Sequence, residues 1–225
     1  QRYLSDGYIV TDNGRYIGLG TGDQLVRAVT ETRIEAARHA NPLTFLPGNI
    51  PISLHIQRLL DNGTEFVACY ADLNHFKPFN DHYGYWRGDQ MIRLVARLAT
   101  MHCDARRDFV GHVGGDDFML IFQSSNWRQR CKNIVQDFAR EALALFDEAA
   151  QRAGGIQAED RHGVPRFFPC TTLAVGAVHV TPGRFRHAEE VANVAATAKH
   201  EAKQTATGLV LHTGMPAADL NMLVA

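Results

Sequence analysis

Four cysteines in 225 residues, none of them in a CxxC pair, exclude both a disulfide framework and a thiolate zinc site. Cys69, Cys103, Cys131 and Cys170 read as free, mostly buried thiols of a reducing, cytoplasmic compartment. Long apolar runs are missing too, which excludes a membrane-spanning helix; the best run, Thr171–Val180, has the length of a strand. Neither sign of charge dominates. Lys and Arg number 23 against 24 Asp and Glu, a net charge of −1, so no broad basic surface exists to hold a nucleic-acid polymer. A single nucleotide needs only a local pocket and stays compatible with that balance. Repeats, low-complexity segments and a signal peptide are absent. The chain opens at Gln1 without a methionine, so it is expected to be an excerpt whose targeting or sensory segments lie outside it.

What is present is an ordinary globular composition, 45% hydrophobic and 21% charged, enough for one large domain with an appendage or for two small ones. Gly7–Thr11 and Tyr16–Leu19 read as two short strands around the turn Asp12–Asn13–Gly14. Thr21–Gly22–Asp23 offers caps for a helix to about Ala40. Two strands and a helix cannot close a core alone. Asn41–Pro42 ends that helix, and Pro51 suits the first position of another running to Asp61. Phe66–Leu73 is apolar enough for a central strand, yet it finishes on Asp72. Asn74–Tyr85 reads as a short helix or turn, and Asp89 as the start of a helix carrying Met91, Ile92, Val95 and Leu98. One long helix is expected over about Trp127–Ala153, then a hairpin around His162–Gly163, a core strand to Val180, a helix over Ala188–Thr205 and a last strand, Gly208–His212.

The central feature is Gly114–Gly115–Asp116–Asp117–Phe118, set between the apolar runs Phe109–Val113 and Met119–Phe122. Two glycines at such a junction read as a tight hairpin, since only glycine takes positive φ without steric cost. A loop that only turns has no need of two adjacent carboxylates. If the strand ending in Asp72 neighbours this hairpin, Asp72 and Asp116 meet at strand ends, where open α/β sheets bind ligands. With no His or Cys beside them, the donors are hard oxygens, which select Mg²⁺ or Mn²⁺. Ions so held serve phosphoryl and nucleotidyl transfer. Lys77 could meet phosphate as a point charge, and Asn74–Lys77 at a helix start would add backbone N–H groups. Asn80 offers a donor and an acceptor, and Asp89 an acceptor for paired N–H groups such as those of guanine. Each has an ordinary structural alternative. Taken singly, Lys77 reads as a solvated lysine, Asn80 as a turn cap, Asp89 as a helix cap, and Lys199 with Lys203 as a solvated helix face; the functional reading rests on their order and spacing together. Tyr83, Tyr85 and Trp86 read as packing residues.

Asp72-Leu-Asn-His-Phe-Lys77-Pro-Phe-Asn80-Asp-His-Tyr-Gly84, then Gly88-Asp89, then Gly-Gly-Asp-Asp-Phe at 114–118 resemble the GGDEF domain of diguanylate cyclases. Leu43-Thr-Phe-Leu-Pro47 resembles the family's opening LTGLPNR motif, and Ala202-Lys203 its late AK motif. The resemblance implies an α/β (α+β) palm fold like that of nucleotidyl cyclases, with a central, mostly antiparallel sheet flanked by helices. It implies condensation of two GTP into cyclic di-GMP, with Asp116, Asp117 and Lys77 at the chemistry. Mg²⁺ or Mn²⁺ would sit on Asp72, Asp116 and the carbonyl of Leu73. Asn80 and Asp89 would read guanine, and Lys77, Lys203 and the backbone near Phe76 would hold phosphates. Gly114 and Gly115 would let the hairpin approach the nucleotide. Turnover would need a second GGDEF domain, because each half of an antiparallel homodimer supplies one GTP.

Residues 1–20 resemble the tail of a CBS domain, 21–40 a connecting helix, 41–215 the GGDEF domain, and 216–225 a tail. DLNHFKPFND, YGYWRGD, GHVGGDDF and the phrase Asp160–Gly163 resemble a subgroup that follows CBS pairs and often accompanies an EAL phosphodiesterase domain. Four departures stand out. Asp117 replaces the usual Glu, drawing the carboxylate back by ~1.5 Å. Asn74 replaces a second Asp, Thr207 stands where a phosphate-binding Arg is usual, and the product-inhibition motif RxxD is incomplete at Ala105. The alternative implied is a weak or inactive GTP-binding module that regulates an attached domain.

Overall fold

In the computed structural model, residues 7–159, 163–205 and 208–212 are described. Thr207, residues 160–162, where a hairpin turn was expected, and residues 216–225 lie outside them. The chain divides into two compact units, 1–40 and 41–225.

In the first unit, β1 (Gly7–Asp12) and β2 (Arg15–Thr21) pair antiparallel around Asn13 and Gly14. Both turn residues have positive φ, 48° and 80°, which suits the twist of a two-residue hairpin. Helix α1 (Gly22–Arg38) starts in a capping box: Thr21 Oγ1 accepts from the Gln24 N–H while Gln24 Oε1 accepts from the Thr21 N–H. Ile9, Ile17, Leu19, Leu25 and Val26 remain exposed.

The second unit is built on a five-stranded sheet in the order β4-β5-β3-β8-β9. The strands are β3 (Phe66–Leu73), β4 (Phe109–Gly114), β5 (Asp117–Phe122), β8 (Leu173–Val180) and β9 (Leu209–His212). Only β8 and β9 run parallel. Strand β3 is central because both its faces are apolar. Val67, Cys69, Ala71 and Leu73 enter one core with α4 (Tyr85–His102) and α5 (Trp127–Ala142), while Phe66 and Ala68 enter the other with α2 (Asn49–Asp61) and α7 (Ala188–Ala202). Fully buried side chains such as Phe79, Phe118, Phe122 and Phe138 each contribute roughly 1.5–3 kcal/mol to this packing. β6 (Gly155–Glu159) and β7 (Pro165–Pro169) form a separate ribbon. No described helix is long and apolar enough to cross a membrane.

Three elements differ from the sequence reading. Helix α2 begins at Asn49, so Pro51 is its third residue. Helix α4 begins at Tyr85, directly after Gly84 (φ 84°), so Asp89 lies inside it and caps nothing. The expected long helix breaks after Ala142 into a 3₁₀ turn (Leu143–Leu145) and α6 (Glu148–Ala153). Asp147 starts the new helix by accepting from the Ala150 N–H, and Gln151 Nε2 donates to the freed carbonyls of Leu143 and Phe146. The cysteines are free, with Cys69 and Cys131 buried and Cys103 and Cys170 half-buried.

Candidate active site

The sheet brings the acids together. Asp72 is the last residue but one of β3, Asp117 opens β5 beside it, and Asp116 stands in the turn between β4 and β5. That turn needs its glycines: Gly114 has φ 149° and Gly115 φ 58°, both in the region that disfavours a side chain. His112 steadies it from below. Its Nε2 donates to the Gly115 carbonyl at 2.9 Å, its Nδ1 accepts from the Thr44 hydroxyl at 2.9 Å, and its ring stacks on Phe118. Burial holds the His112 imidazole below its ordinary pKa, against a smaller opposing effect of the Gly115 carbonyl.

Two lysines, Lys199 of α7 and Lys203 at its C-cap, meet the acids. Lys203 Nζ lies 2.8 Å from Asp72 Oδ2; Lys199 Nζ lies 2.9 Å from the same oxygen and 2.9 Å from Asp117 Oδ1. Burial opposes charge on Asp72, but the Lys203 and Lys199 ammoniums outweigh it and hold the carboxyl below its ordinary value. Burial and the neighbouring Asp72 charge raise Asp116 to about 6. Asp72 Oδ1 is buried with no hydrogen-bond partner. An orphaned carboxylate oxygen beside a second half-buried carboxyl is a hard-oxygen donor set that fits a divalent cation. Among the described residues no three His, Cys, Asp or Glu side chains group into a cation cage. The third carboxylate near Asp72, Asp117, is held by Lys199.

The remaining expected residues surround this cluster unevenly. Leu73 is buried and pairs with Leu173 of β8. Phe76 and Lys77 open α3 (Phe76–Tyr83) after His75, whose φ is 58°. Lys77 is exposed and makes no ion pair among the described residues. Asn80, later on α3, keeps its Oδ1 buried and unpartnered against Gly88 of α4, beside the half-buried Asp89. Asn74 spends its amide on Thr172 Oγ1, 2.9 Å away.

Lys199 and Lys203 are not a solvated face; their side chains are 17% and 33% exposed and committed to ion pairs. Tyr85 and Trp86 are exposed rather than packed, whereas Tyr83 packs on Phe79 and Phe146. Lys199 is a site residue that the sequence reading did not assign. Its one signal was the four-residue spacing to Lys203. His112 was missed as well. Asp108, the acid end of the incomplete RxxD, is spent inside the fold. Its carboxylate accepts from the N–H groups of Asp104, Gln123 and Ser124 and from the Ser124 hydroxyl.

The profile of the family described as "Diguanylate cyclase, GGDEF domain" matches residues 39–208. The chain belongs to the GGDEF family. Among its relatives is the probable diguanylate cyclase DgcT of Escherichia coli, 26% identical over 175 residues, 77% of this chain and 35% of that protein. Another is the cyclic di-GMP phosphodiesterase PdeB of Shewanella oneidensis, 42% identical over 82 residues, 36% of this chain and 10% of that protein. The chain thus spans about a third or less of the length of these curated relatives. Its fold is that of the coiled coil and GGDEF domain of DgcB from Caulobacter crescentus, solved in complex with c-di-GMP. The TM-score is 0.59 at 20% identity, covering 84% of this chain and 94% of that one.

Proposed function

We propose that this GGDEF domain, residues 41–215, is a Mg²⁺- or Mn²⁺-dependent diguanylate cyclase. The observation that carries the reading is the convergence of Asp72 and Asp117 on two lysines, with Asp116 beside Asp72 and Asp72 Oδ1 buried and unpaired. In this reading Asp72, Asp116 and the Leu73 carbonyl hold the divalent ion, which when bound neutralises triphosphate charge and eases ionisation of a hydroxyl. Lys203 turns from Asp72 toward phosphate, while Lys77 and the backbone at Phe76 meet the phosphates from the start of α3. Asn80 offers its free Oδ1 to a guanine N–H, and Asp89 accepts the paired N1 and N2 hydrogens. Gly114 and Gly115 keep the turn free of side chains at the nucleotide.

Each 3′-hydroxyl attacks the α-phosphate of the other GTP, forming one P–O bond and releasing one pyrophosphate. Asp117 assists loss of the hydroxyl proton. Two domains in antiparallel register supply the two nucleotides, and the second GGDEF domain is a second copy of this chain. Upstream CBS and attached EAL domains belong to the proposal for the longer protein, as does a cytoplasmic location.

A second reading is a GTP-binding module without turnover that regulates an attached phosphodiesterase. The capture of Asp117 by Lys199 and the likeness to PdeB favour it. Turnover of GTP by the wild type and by Asp117→Glu separates the two. Product from the wild type supports the cyclase. Product from Asp117→Glu alone supports the second reading, and bound GTP with no product from either overturns the first.

A further inference from the structure

Lys199 is built into the acid site rather than laid over it. A Cβ on Gly176 of β8 would stand 1.9 Å from the Lys199 backbone nitrogen, so the glycine is what lets α7 press on the sheet at this residue. From there the side chain crosses the ring of Tyr70, 4.5 Å from its centroid, and its ammonium ends between two carboxylates on neighbouring strands. One cation touching Asp72 Oδ2 and Asp117 Oδ1 at 2.9 Å each holds the place that a bridging metal ion takes between such groups. The Lys199 ammonium is held there by both carboxylates, one from β3 and one from β5. The other oxygen of Asp72 is buried, unpartnered and left over.

We propose that Lys199 is a resident cation of this site, a positioning residue that ties Asp117 to Asp72 and so withholds Asp117 from the divalent ion. The inference rests on the reading that these acids hold such an ion. It leaves the ion with Asp72 Oδ1 and Asp116 as its carboxylate ligands, one fewer than the sequence supplies. A neutral side chain of similar length at position 199 releases the third carboxylate and creates a stronger cation site.

The test is a titration of the nucleotide-free chain with Mn²⁺, with free ion counted by electron paramagnetic resonance. Lys199→Met is expected to bind Mn²⁺ at least about tenfold more tightly than the wild type, since one more carboxylate joins the ligand set. Lys199→Arg, which keeps a cation able to bridge both acids, is expected to stay near the wild-type affinity. Thermal melting establishes that each variant folds, and Lys199→Gln replaces Lys199→Met if the latter does not. Unchanged Mn²⁺ affinity in the folded neutral variant overturns the role of Lys199. Adding Asp72→Asn to the neutral variant should erase the gain. A gain that survives Asp72→Asn places the ion elsewhere and overturns the underlying metal site as well.

Discussion

Asn80 rests its side-chain oxygen against Gly88, so closely that a Cβ there would stand 1.9 Å away. Two helices, α3 and α4, therefore meet through an amide and a bare backbone, and the oxygen is left buried without a donor. An unmet acceptor of this kind costs free energy unless a ligand completes it. Gly88→Ala is expected to push the flexible amide aside while the fold survives. On the proposed function, losing that acceptor weakens GTP binding about tenfold, which calorimetry reads directly. Unaltered affinity would remove Asn80 from the nucleotide site.

Gly176 makes a different demand. There the atoms a Cβ would meet are backbone, Lys199 N at 1.9 Å and Ala198 C at 2.3 Å, and they cannot swing away. Gly176→Ala should separate α7 from β8 and cost about 3 kcal/mol in urea unfolding. A loss under about 1 kcal/mol would mean that the helix seat is looser than the geometry implies.

Asp108 is the buried acid whose partners are mostly backbone. Its four donors close the loop before β4 onto the one after β5, and its side chain is fully buried. Asp108→Ala strands those donors and should destabilise the protein by about 3 kcal/mol. The same denaturation series checks it, and a neutral effect would contradict the structural role.

His112 gives the fold a pH dependence of known sign. Burial lowers its pKa below the ordinary histidine value, so the unfolded chain takes up its proton first as pH falls. This contribution to stability is full above about 6.5 and is lost as pH drops from there through the folded value. The Tm of the wild type should fall between pH 7 and pH 5 by more than that of His112→Gln. Parallel curves would show that the Thr44–His112–Gly115 tether does not sense the proton.

Much of this was legible in the residues. Phe66–Leu73 is apolar on both faces and so could only be a central strand, which fixed Asp72 at its end. Gly114 and Gly115 announced the positive φ that the turn requires. The break after Ala142 was hidden because Leu143 and Phe146 continue the helical apolar spacing, and only the Asp147 cap ends it. Asp89 looked like a helix start, whereas Gly84, five residues earlier, is where the backbone turns. Lys199 was legible only as a neighbour of Lys203. Its reach to Asp117 depends on Gly176, 23 residues earlier, and on a strand order that no local pattern records.

The most direct test of the central claim is to incubate the chain with GTP and Mg²⁺ and identify the products by liquid chromatography with mass detection. Cyclic di-GMP is the expected product, with two pyrophosphates released per molecule formed. The rate per chain should rise with protein concentration as the second copy is recruited, and Asp116→Ala should fall by at least about 10²-fold. GTP bound with no cyclic di-GMP at any protein concentration would contradict it.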